Sequence, residues 1–546
     1  MVRGWLLRCL ESHRTCRQAC ARVPPLPTRV IEVGEAESTC SRLIMGAGRH
    51  DHYATLSHCW GGSQPLTTTE ATLLLRELSI LDTDLPTTFR DAVAVCRNLN
   101  IKYIWIDSLC IVQDSLDDWQ KESSHMGEIY SASTLNISAA SASDGSVGCF
   151  FDRDATSIKP CGVEIFGRPC IISRQASTID EVFGDLHNDR LFGASPLNSR
   201  AWVLQEDVLP CRNLVYAKDQ VYWYCHELQA SEKQMLGLLG VPQTEMNYLR
   251  NLGKLIHGIG VPRDMKKAIC YGYWYRSVMD YTLRKMTKGS DKFPAISGLA
   301  RKFAQVKTGP PDSYVAGLWE SDLCIGLLWI AGDPLNGFEH NRRCERYRGP
   351  SWSWASTEGH VNYRYVIPSL DMPGEMCVLE LLKASKIEVR PCPGHDVFGE
   401  IEYASLSFDV EYLMPVRYIG TELESHLFPE TRERIESEDA AQLEDLMSVE
   451  GVTDEASYGR GKFQFFHADE AHRPLENQLY CLPVAGVDER DESDRSVEVG
   501  TIWYLVLEPV EDVTSGESCY RRVGICKSLG STFPTKLWLT GSITLI

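Results

Sequence analysis

Residues 53–138 alternate short apolar runs with helical patterns, and this alternation constrains the fold more than any other feature of the sequence. Ile101–Ile106 (IKYIWI) is almost continuously apolar, which is typical of a central strand covered on both faces. We expect strands at Tyr53–Leu56, Ile101–Ile106 and Leu135–Ser138, and helices at Thr67–Leu78, Leu85–Leu99 and Leu116–Ala132. Strands that alternate with helices predict an α/β sheet with crossover helices.

Two of these strands end in polar or reactive side chains. Residues 53–62 read YATLSHCWGG, so Ser57, His58 and Trp60 follow the strand and a glycine pair then breaks it. Ile101–Ile106 runs directly into Asp107. Open α/β sheets place their binding sites at strand ends, which favours a functional site here. The alternative is a buried strand followed by a tight turn.

Length and charge limit the classes of function. The chain has 546 residues, 43% of them hydrophobic, which predicts two or three folded domains. The formal net charge is −19, with 74 acidic residues against 55 basic ones. This excess argues against nucleic acid or an anionic membrane as the main partner, because both repel a negative surface.

Targeting signals and cysteine usage favour a cytoplasmic location. The first apolar stretch is interrupted by Arg8 and Glu11, so it does not resemble a signal peptide. The apolar run at Leu323–Ala331 is too short to span a membrane. The 20 cysteines show no paired C-x-x-C framework and are expected to be reduced thiols.

Residues 1–22 carry cysteine and histidine at helical spacing. Cys9, His13, Cys16 and Cys20 share one face with Trp5 if this segment is a single helix. One interpretation is a zinc site formed by Cys9, His13 and Cys16. The other is an apolar stripe that docks on the main domain. A single helix would spread these side chains over several turns, so they could not surround one ion together, and we expect no metal site.

The remaining chain divides into segments of different pattern. Residues 1–45 form a helix and lead-in, 46–225 the α/β domain, 226–340 a helical segment and 341–546 a β-rich domain. The acidic stretch 421–455 is expected to be a solvated helix or loop. Further strands are expected at Thr28–Val33, Cys40–Ile44, Leu214–Tyr216, Val221–Cys225, Cys377–Leu382, Ile387–Arg390, Leu406–Tyr412, Thr501–Leu507, Arg521–Ile525 and Lys536–Ile546, with a hairpin near Val163–Ile172 and a helix at Asn198–Val208.

Three ordered blocks resemble the fungal heterokaryon-incompatibility (HET) domain. They are YATLSHCWGG (Tyr53–Gly62), the long block from LPTTFRDAV to GEIYSAS (Leu85–Ser133) and SRAWVLQEDVLPCRNLVY (Ser199–Tyr216). The N-terminal W-x3-C-x3-H-x2-C, PSWSWAS (Pro350–Ser356) and YRRVGI (Tyr520–Ile525) are similar to pieces of long family members. The resemblance is specific over about residues 1–225. Asp207 departs from the usual third block, which continues with a more basic or aliphatic turn.

The resemblance implies a fold and an activity. The HET domain is distantly similar to the TIR domain, so it implies a flavodoxin/TIR-like parallel sheet. Some TIR domains cleave NAD with a glutamate that lies on a helix, four residues after a tryptophan. Trp202 and Glu206 have that spacing in this chain. NAD is therefore the implied substrate, and cell-death signalling is the implied role.

The chemistry assigns candidate roles to the motif residues. Releasing nicotinamide needs a carboxylate against the positive charge that develops on the ribose, and Glu206 is the candidate, with Asp107 to orient a ribose hydroxyl. The residues expected to line the nucleotide site are Ser57, Trp60, Gly61, Gly62, Arg200 and Trp202.

Each assignment has a structural alternative. Glu206 can form a buried ion pair with Arg200 or Arg212, and Asp107 can cap the next helix. Trp60 can be a core residue. A thiol nucleophile activated by His58 is a further interpretation. His58 and Cys59 are adjacent in a strand and point to opposite faces, which disfavours that pair and leaves Cys110 with His58. On the helix Leu116–Ala132, His125 is expected at the surface and Glu122 towards the core.

Three hypotheses for function follow. The first is a HET effector that cleaves NAD. The second is a non-catalytic interaction module that binds a second copy of the chain or another incompatibility protein. The third is an enzyme of fungal secondary metabolism that acts on another small-molecule nucleotide or metabolite. An aromatic pocket formed by Trp60, Trp202, Trp352 and Trp354 would favour the third.

Overall fold

The computed structural model divides the chain into two compact units, Met1–Pro311 (unit 1) and Asp312–Ile546 (unit 2). It describes residues 1–62, 66–153, 161–166, 168–172, 195–237, 246–259, 267–306, 312–332, 342–363, 377–419, 422–425, 465–468, 479–488, 501–510, 518–529 and 539–546.

Unit 1 alternates helices and strands. Its described helices are α1 (Val2–Ser12), α2 (Arg14–Ala19), α3 (Leu73–Leu78), α4 (Thr87–Leu99), α5 (Asp107–Cys110), α6 (Leu116–Ala132), α7 (Val203–Val208), α8 (Met246–Ile256), α9 (Lys267–Leu283) and α10 (Pro294–Ala304). Its described strands are β1 (Arg29–Glu32), β2 (Cys40–Met45), β3 (Tyr53–Ser57), β4 (Ile80–Leu81), β5 (Tyr103–Trp105), β6 (Leu135–Ser138), β7 (Cys161–Ile165), β8 (Arg168–Ile172), β9 (Arg212–Tyr216), β10 (Val221–Cys225) and β11 (Gln229–Ser231).

A nine-stranded mixed sheet runs through unit 1 in the order β11-β10-β9-β6-β3-β5-β1-β2-β4. The pairs β5–β3, β3–β6 and β6–β9 are parallel, and the outer pairs are antiparallel. After β3 the chain moves outward to β5 and then crosses back to β6 on the other side. β3 and β6 therefore form a topological switch point, which is where open sheets bind ligands. The predicted α/β sheet is confirmed at this level.

The burial of the sheet follows from the sequence. All five residues of β3 are buried, as expected for a strand covered on both faces. α4 buries an apolar stripe that includes Phe89, Ala92 and Val93, and it ends at Asn100, which adopts a left-handed conformation with φ of 57°. α6 spans Leu116–Ala132 as predicted.

Helices α6 and α10 cross at two glycines. A Cβ atom built on Gly127 would lie 2.4 Å from the Cα atom of Gly298, so neither position has room for a side chain without moving backbone. A Cβ atom built on Gly298 would lie 2.5 Å from Oε1 of Gln205 on α7. This crossing therefore packs α7 closely between its neighbours.

Three predicted helices were too long. The segment 1–22 is not one helix, because His13 is extended (φ −78°, ψ 105°) and separates α1 from α2. The helix predicted for Asn198–Val208 is a 3₁₀ turn at Leu197–Ser199 followed by α7, because Arg200 is extended. Only Leu73–Leu78 of the predicted Thr67–Leu78 is helical.

Unit 2 is β-rich, as predicted. Its described helix is α11 (Leu323–Gly326). Its described strands are β12 (Tyr314–Val315), β13 (Leu318–Trp319), β14 (Ile330–Ala331), β15 (Arg342–Arg343), β16 (Thr357–Glu358), β17 (Val361–Asn362), β18 (Cys377–Glu380), β19 (Ala384–Pro391), β20 (Ile401–Ile419), β21 (Glu422–Ser425), β22 (Phe465–Ala468), β23 (Leu479–Asp488), β24 (Thr501–Val510), β25 (Ser518–Leu529) and β26 (Leu539–Leu545).

The long strand β20 organises this second sheet. It pairs with β26 through Leu406–Leu413 and with β23 through Met414–Val416, so the path β23-β24-β25-β26-β20 returns to β23. Of the acidic stretch 421–455, Glu422–Ser425 forms strand β21 rather than a helix or loop. The rest of that stretch lies outside the described residues.

Candidate functional site

Polar side chains from separate sequence blocks meet at the switch point of the unit 1 sheet. We call Ser57, His58, Asp107, Tyr130, Arg200 and Glu206 the strand-end cluster. Ser57 is the last residue of β3 and lies beside Ser138, the last residue of β6. Asp107 begins α5, with Ile106 between it and the end of β5, and Glu206 lies on α7. The parallel arrangement brings these strand ends to one edge of the sheet.

Glu206 is the most buried carboxylate of the cluster, with 5% of the residue exposed. Burial raises its pKa from 4.5 to about 7, because removal from water penalises the charged form. The Arg200 guanidinium lowers this pKa, the nearby Asp107 carboxylate raises it, and hydrogen bonding with Ser57 and Tyr130 lowers it. These couplings place the carboxyl of Glu206 among groups from β3, α5 and α6.

Asp107 connects the cluster to Trp60. The indole Nε1 of Trp60 donates to Oδ2 of Asp107 at 3.0 Å, and Oδ1 lies 3.7 Å from Nδ1 of His58. Oδ1 also accepts the backbone N–H of Ser108 at 2.7 Å. Asp107 therefore contacts the first turn of α5 and the cluster together, and its side chain remains 19% exposed.

His58 is fully enclosed beneath this carboxylate. Burial lowers its pKa, the Asp107 carboxylate raises it and the Arg200 guanidinium lowers it again, so the net direction is downward and the neutral form is favoured. Its ring packs edge-on against Phe89, with the ring centroids 4.8 Å apart. Arg200 donates to the backbone carbonyl of His58, which ties the start of the α7 segment to the end of β3.

Asn136 of β6 supports the cluster from inside the sheet. Its Oδ1 accepts from Thr55 at 2.9 Å and from Ser57 at 3.2 Å. Its Nδ2 donates to the carbonyl of Glu206 at 3.1 Å and to Oδ1 of Asn213 at 2.9 Å. Sequence reasoning missed Asn136, although a fully polar side chain in the apolar strand LNIS was a usable signal.

The remaining predicted site residues lie in different surroundings. Trp202 donates its indole N–H to Oδ2 of Asp291 at 3.0 Å, outside the cluster. Gly61 has φ of 75°, and a Cβ atom there would lie 2.4 Å from Cβ of Asp144, so this glycine permits a backbone approach within the protein. A Cβ on Gly62 would meet open space.

The structure disfavours two of the alternatives raised from sequence. Burial raises the pKa of Cys59 to about 11 and that of Cys110 to about 12, so neither thiol forms a ready nucleophile. Arg212 does not pair with Glu206, because its described side-chain hydrogen bonds go to Cys9, Cys20 and the carbonyl of Thr134.

Two expectations for α6 agree with the structure: His125 is exposed and Glu122 is buried. Trp352 and Trp354 lie in unit 2, where both are fully buried and donate to the carbonyls of Leu545 and Gly317.

A cavity in unit 1 lies beside Asp207, the neighbour of Glu206. Tyr224, Cys225, His226 and Arg250 also line it, whereas Glu206 does not. Burial raises the pKa of Asp207 to about 7, and Tyr224 donates its hydroxyl hydrogen to Oδ1. The unusual acidic residue of the third block is therefore directed to a separate environment from that of the strand-end cluster.

The N-terminal cysteines and histidine meet a residue far along the chain. The ligand atoms of Cys9, His13, Cys16 and Cys225 lie within 4.8 Å of one another, and all four residues are buried. Residues 1–22 are not the single continuous helix on which the expectation of no metal site depended, because the extended backbone at His13 folds α1 and α2 against each other.

None of the helices in the described parts of the chain has both the length and the apolar character needed to cross a membrane.

A comparison with protein families matches a region that holds the first two sequence blocks resembling the HET domain and the start of the third. Residues 53–206 match the family model described as heterokaryon incompatibility protein (HET), from the first residue of β3 to Glu206. No curated protein and no solved structure matches the chain. The match supports a role of the heterokaryon-incompatibility type. Residues 53–206, which hold the whole strand-end cluster, thus form a region of the chain that is a HET domain.

Proposed function

We propose that the HET domain cleaves the bond between nicotinamide and ribose in NAD, with Glu206 as the catalytic carboxylate, and that this activity drives an incompatibility response ending in cell death. The observation that carries the proposal is the meeting of Ser57, Asp107 and Glu206 at one end of the parallel sheet, although they come from three separate sequence blocks.

The sheet topology supports the TIR-like part of this proposal. In chain order the four parallel strands β3, β5, β6 and β9 lie in the spatial order 2-1-3-4. Flavodoxin-like sheets begin with the same order and bind their ligand at the junction of the first and third strands. In this chain that junction lies between β3, which ends at Ser57, and β6, which contains Asn136.

The reaction needs a carboxylate in a site with little water. As the C–N bond breaks, its electron pair moves to the nicotinamide nitrogen and neutralises the charge of the ring. Positive charge then develops on the ribose carbon, and a carboxylate stabilises it more strongly in a low-dielectric site. Water adds to that carbon and releases a proton. Burial raises the pKa of Glu206 to about 7, so both its ionised and its protonated forms are accessible near neutral pH.

The rim of the cluster supplies the other contacts. Asp107, Trp60 and Arg200 are partly exposed, while Ser57 and Glu206 lie beneath them. In the proposal, the Asp107 carboxylate accepts a hydrogen bond from a ribose hydroxyl, Arg200 pairs with a phosphate and Trp60 contacts the base. Gly61 and Gly62 follow Trp60 and are exposed, and a Cβ atom on Gly62 would meet open space.

The direct test uses the full-length protein and NAD. We expect nicotinamide release, measured by liquid chromatography, and a decrease of at least about 100-fold in Glu206→Gln, comparable to the loss of one transition-state contact. Glu128→Gln is the matched control, because Glu128 is exposed on α6. Circular dichroism checks that both variants fold. No release at high protein concentration under oligomerising conditions would count against the proposal, as would full activity of Glu206→Gln.

A second candidate function is a non-catalytic interaction module, and the deep burial of Glu206 favours it. A carboxyl that is 5% exposed, with its pKa raised by burial, can serve as a neutral hydrogen-bonding group of the core. Expression in a sensitive host separates the two candidates. A toxic effect that persists in a folded Glu206→Gln protein supports the interaction module, whereas its loss supports catalysis.

A further inference from the structure

Three thiols and one imidazole converge where the N-terminal segment packs on the sheet. The Sγ atoms of Cys9, Cys16 and Cys225 and a ring nitrogen of His13 all lie within 4.8 Å of one another. Nδ1 of His13 lies 3.3 Å from Sγ of Cys225 and 4.0 Å from Sγ of Cys16. Ligand atoms at about 2.3 Å from a tetrahedral zinc ion lie about 3.8 Å apart, which is close to this spacing.

We propose that this chain binds one structural zinc ion through Cys9 Sγ, His13 Nδ1, Cys16 Sγ and Cys225 Sγ. We call these four residues the zinc cluster. Three sulfur ligands and one imidazole nitrogen are a set that zinc binds in structural sites. Four protein ligands fill the tetrahedron and leave no position for water or substrate, so the site is structural rather than catalytic.

The local fold explains how residues so distant in sequence meet. Cys9 is a buried residue of α1 and Cys16 a buried residue of α2, and the break at His13 folds the two short helices back on each other. Cys225 is the last residue of β10, next to β9 in the unit 1 sheet. Trp5 packs against Trp223 of the same strand, with the ring centroids 6.3 Å apart.

The hydrogen bonds around the sulfurs are those expected for thiolates. The backbone N–H of Leu228 donates to Sγ of Cys225 at 3.3 Å, and Nε of Arg212 donates to Sγ of Cys9 at 3.1 Å. Outer partners of this kind orient metal ligands and tune their charge.

The charge of Arg212 gives an independent argument. This side chain is 1% exposed, and its hydrogen bonds among the described residues go to two sulfurs and a carbonyl, with no carboxylate partner. A buried cation needs a nearby negative charge. A zinc ion with three thiolates and one neutral histidine carries a net charge of −1, which the guanidinium would balance.

The consequence is a clamp between the start of the chain and the sheet. α1 and α2 are short, and isolated helices of this length are not stable in water. A zinc ion would attach both of them to β10, the strand beside β9. The zinc cluster is independent of the strand-end cluster, since the two share no residue and the proposal does not depend on NAD cleavage.

The test is the metal content of the full-length protein. The protein is produced in zinc-supplemented medium and purified with a thiol reductant. We expect about one zinc ion per chain, measured by inductively coupled plasma mass spectrometry. Cys225→Ser should lower this content at least tenfold. Cys149→Ser is the matched control and should keep it, because Cys149 is a buried cysteine of unit 1 outside the zinc cluster.

A second measurement remains decisive if Cys225→Ser fails to fold. Cobalt added to metal-free protein should give the visible bands of a tetrahedral site, and His13→Cys should keep the metal but shift these bands towards an all-sulfur site. Absence of zinc and of cobalt uptake in the reduced wild type would overturn the proposal. A disulfide between two cysteines of the zinc cluster that persists in protein isolated with a thiol reductant would also overturn it. Equal zinc content in Cys225→Ser and Cys149→Ser would overturn it as well.

Discussion

At the scale of single residues, unit 1 places several ionisable and polar groups in the interior of its sheet. Glu206, Asp207 and His58 are all buried. Burial raises the pKa of the two carboxyls and lowers that of the imidazole, so it favours the neutral form of each group. Such clusters of shifted groups are typical of functional sites, although structural networks also produce them. The pH dependence of stability therefore reports on this site directly.

Glu206 makes the folded state less stable as the pH rises. Its folded pKa of about 7 exceeds the ordinary value of 4.5, so the folded protein binds this proton more tightly than the unfolded chain. The resulting stabilisation relative to high pH is present below about pH 4.5 and is lost as the pH rises through about 7. The full difference is on the order of 3 kcal/mol. Glu206→Gln should lack it, and calorimetry at pH 5 and pH 8 measures the change.

The comparison between wild type and variant isolates this group. Asp207 follows the same trend in both proteins, so its contribution largely cancels. Glu128→Gln, at an exposed position, should follow the wild-type pH dependence. If Glu206→Gln and wild type change in parallel between pH 5 and pH 8, the carboxyl of Glu206 does not have the raised pKa.

Asn136 is the second residue with a large expected effect. Asn136→Ala would leave the hydroxyls of Thr55 and Ser57 and the carbonyl of Glu206 without this partner. Because these groups are buried, we expect a loss of about 2–4 kcal/mol in the free energy of unfolding. Calorimetry of the full-length protein measures it. Asn98→Ala, on the exposed face of α4, should change stability by less than about 0.5 kcal/mol, and equal effects would contradict the role of Asn136.

At the scale of helices and strands, the periodicity of the sequence predicts where helices lie, whereas tertiary contacts determine where they break. Periodicity located α4 and α6 accurately, because their apolar stripes face the sheet. It did not locate the breaks at His13 and Arg200, where one extended residue redirects the chain. Both breaks lie in segments that approach distant parts of unit 1, so tertiary contacts set them rather than local preference.

The crossing of α6 and α10 gives a prediction at this scale. Gly127→Ala places a methyl group against the backbone of α10, 2.4 Å from the Cα atom of Gly298, and the helices must separate. We expect a destabilisation of at least about 2 kcal/mol, in the range of overpacked cores. Thermal unfolding of the full-length protein measures the loss.

Gly4→Ala is the matched control, since a Cβ atom at Gly4 in α1 meets nothing within 4 Å. It should be neutral or stabilise α1 by up to about 1 kcal/mol. A Gly127→Ala protein as stable as the Gly4→Ala protein would contradict the close crossing.

At the scale of the whole molecule, the HET match and the folded unit have different boundaries. The match covers residues 53–206, whereas unit 1 extends from Met1 to Pro311. The sheet continues beyond the match on both sides, through β1 beside β5 and β9 beside β6. The match also excludes α10, on which Gly127 of α6 packs.

We therefore expect the fragment 53–206 not to fold alone, whereas 1–311 should. In the shorter fragment the edges of β5 and β6 lose their partners, and unpaired edges favour aggregation. Size-exclusion chromatography and near-ultraviolet circular dichroism compare the two. A monomeric 53–206 fragment with ordered aromatic signals would show that the matched region is sufficient.

The fold was largely predictable from local sequence, and the site was predictable in part. Alternating strands and helices identified the α/β sheet and the β-rich C-terminal region, because side-chain periodicity reflects which face is buried. The polar residues that follow the two apolar strands β3 and β5 indicate Ser57 and Asp107 from local sequence alone. The position of Trp202 beside Asp291 was not predictable, because helical spacing does not determine which neighbour a side chain meets.

The sequence by itself determined the elements, the excess of acidic charge and the family blocks, since each of these depends on residues near one another in the chain. Only the tertiary structure decided which elements are neighbours. It brought Cys225 to Cys9, His13 and Cys16, and Glu206 to Ser57 and Asp107. The physical reason is that such meetings depend on how the whole sheet is ordered and packed, and no local periodicity records the distance between segments separated by more than a hundred residues.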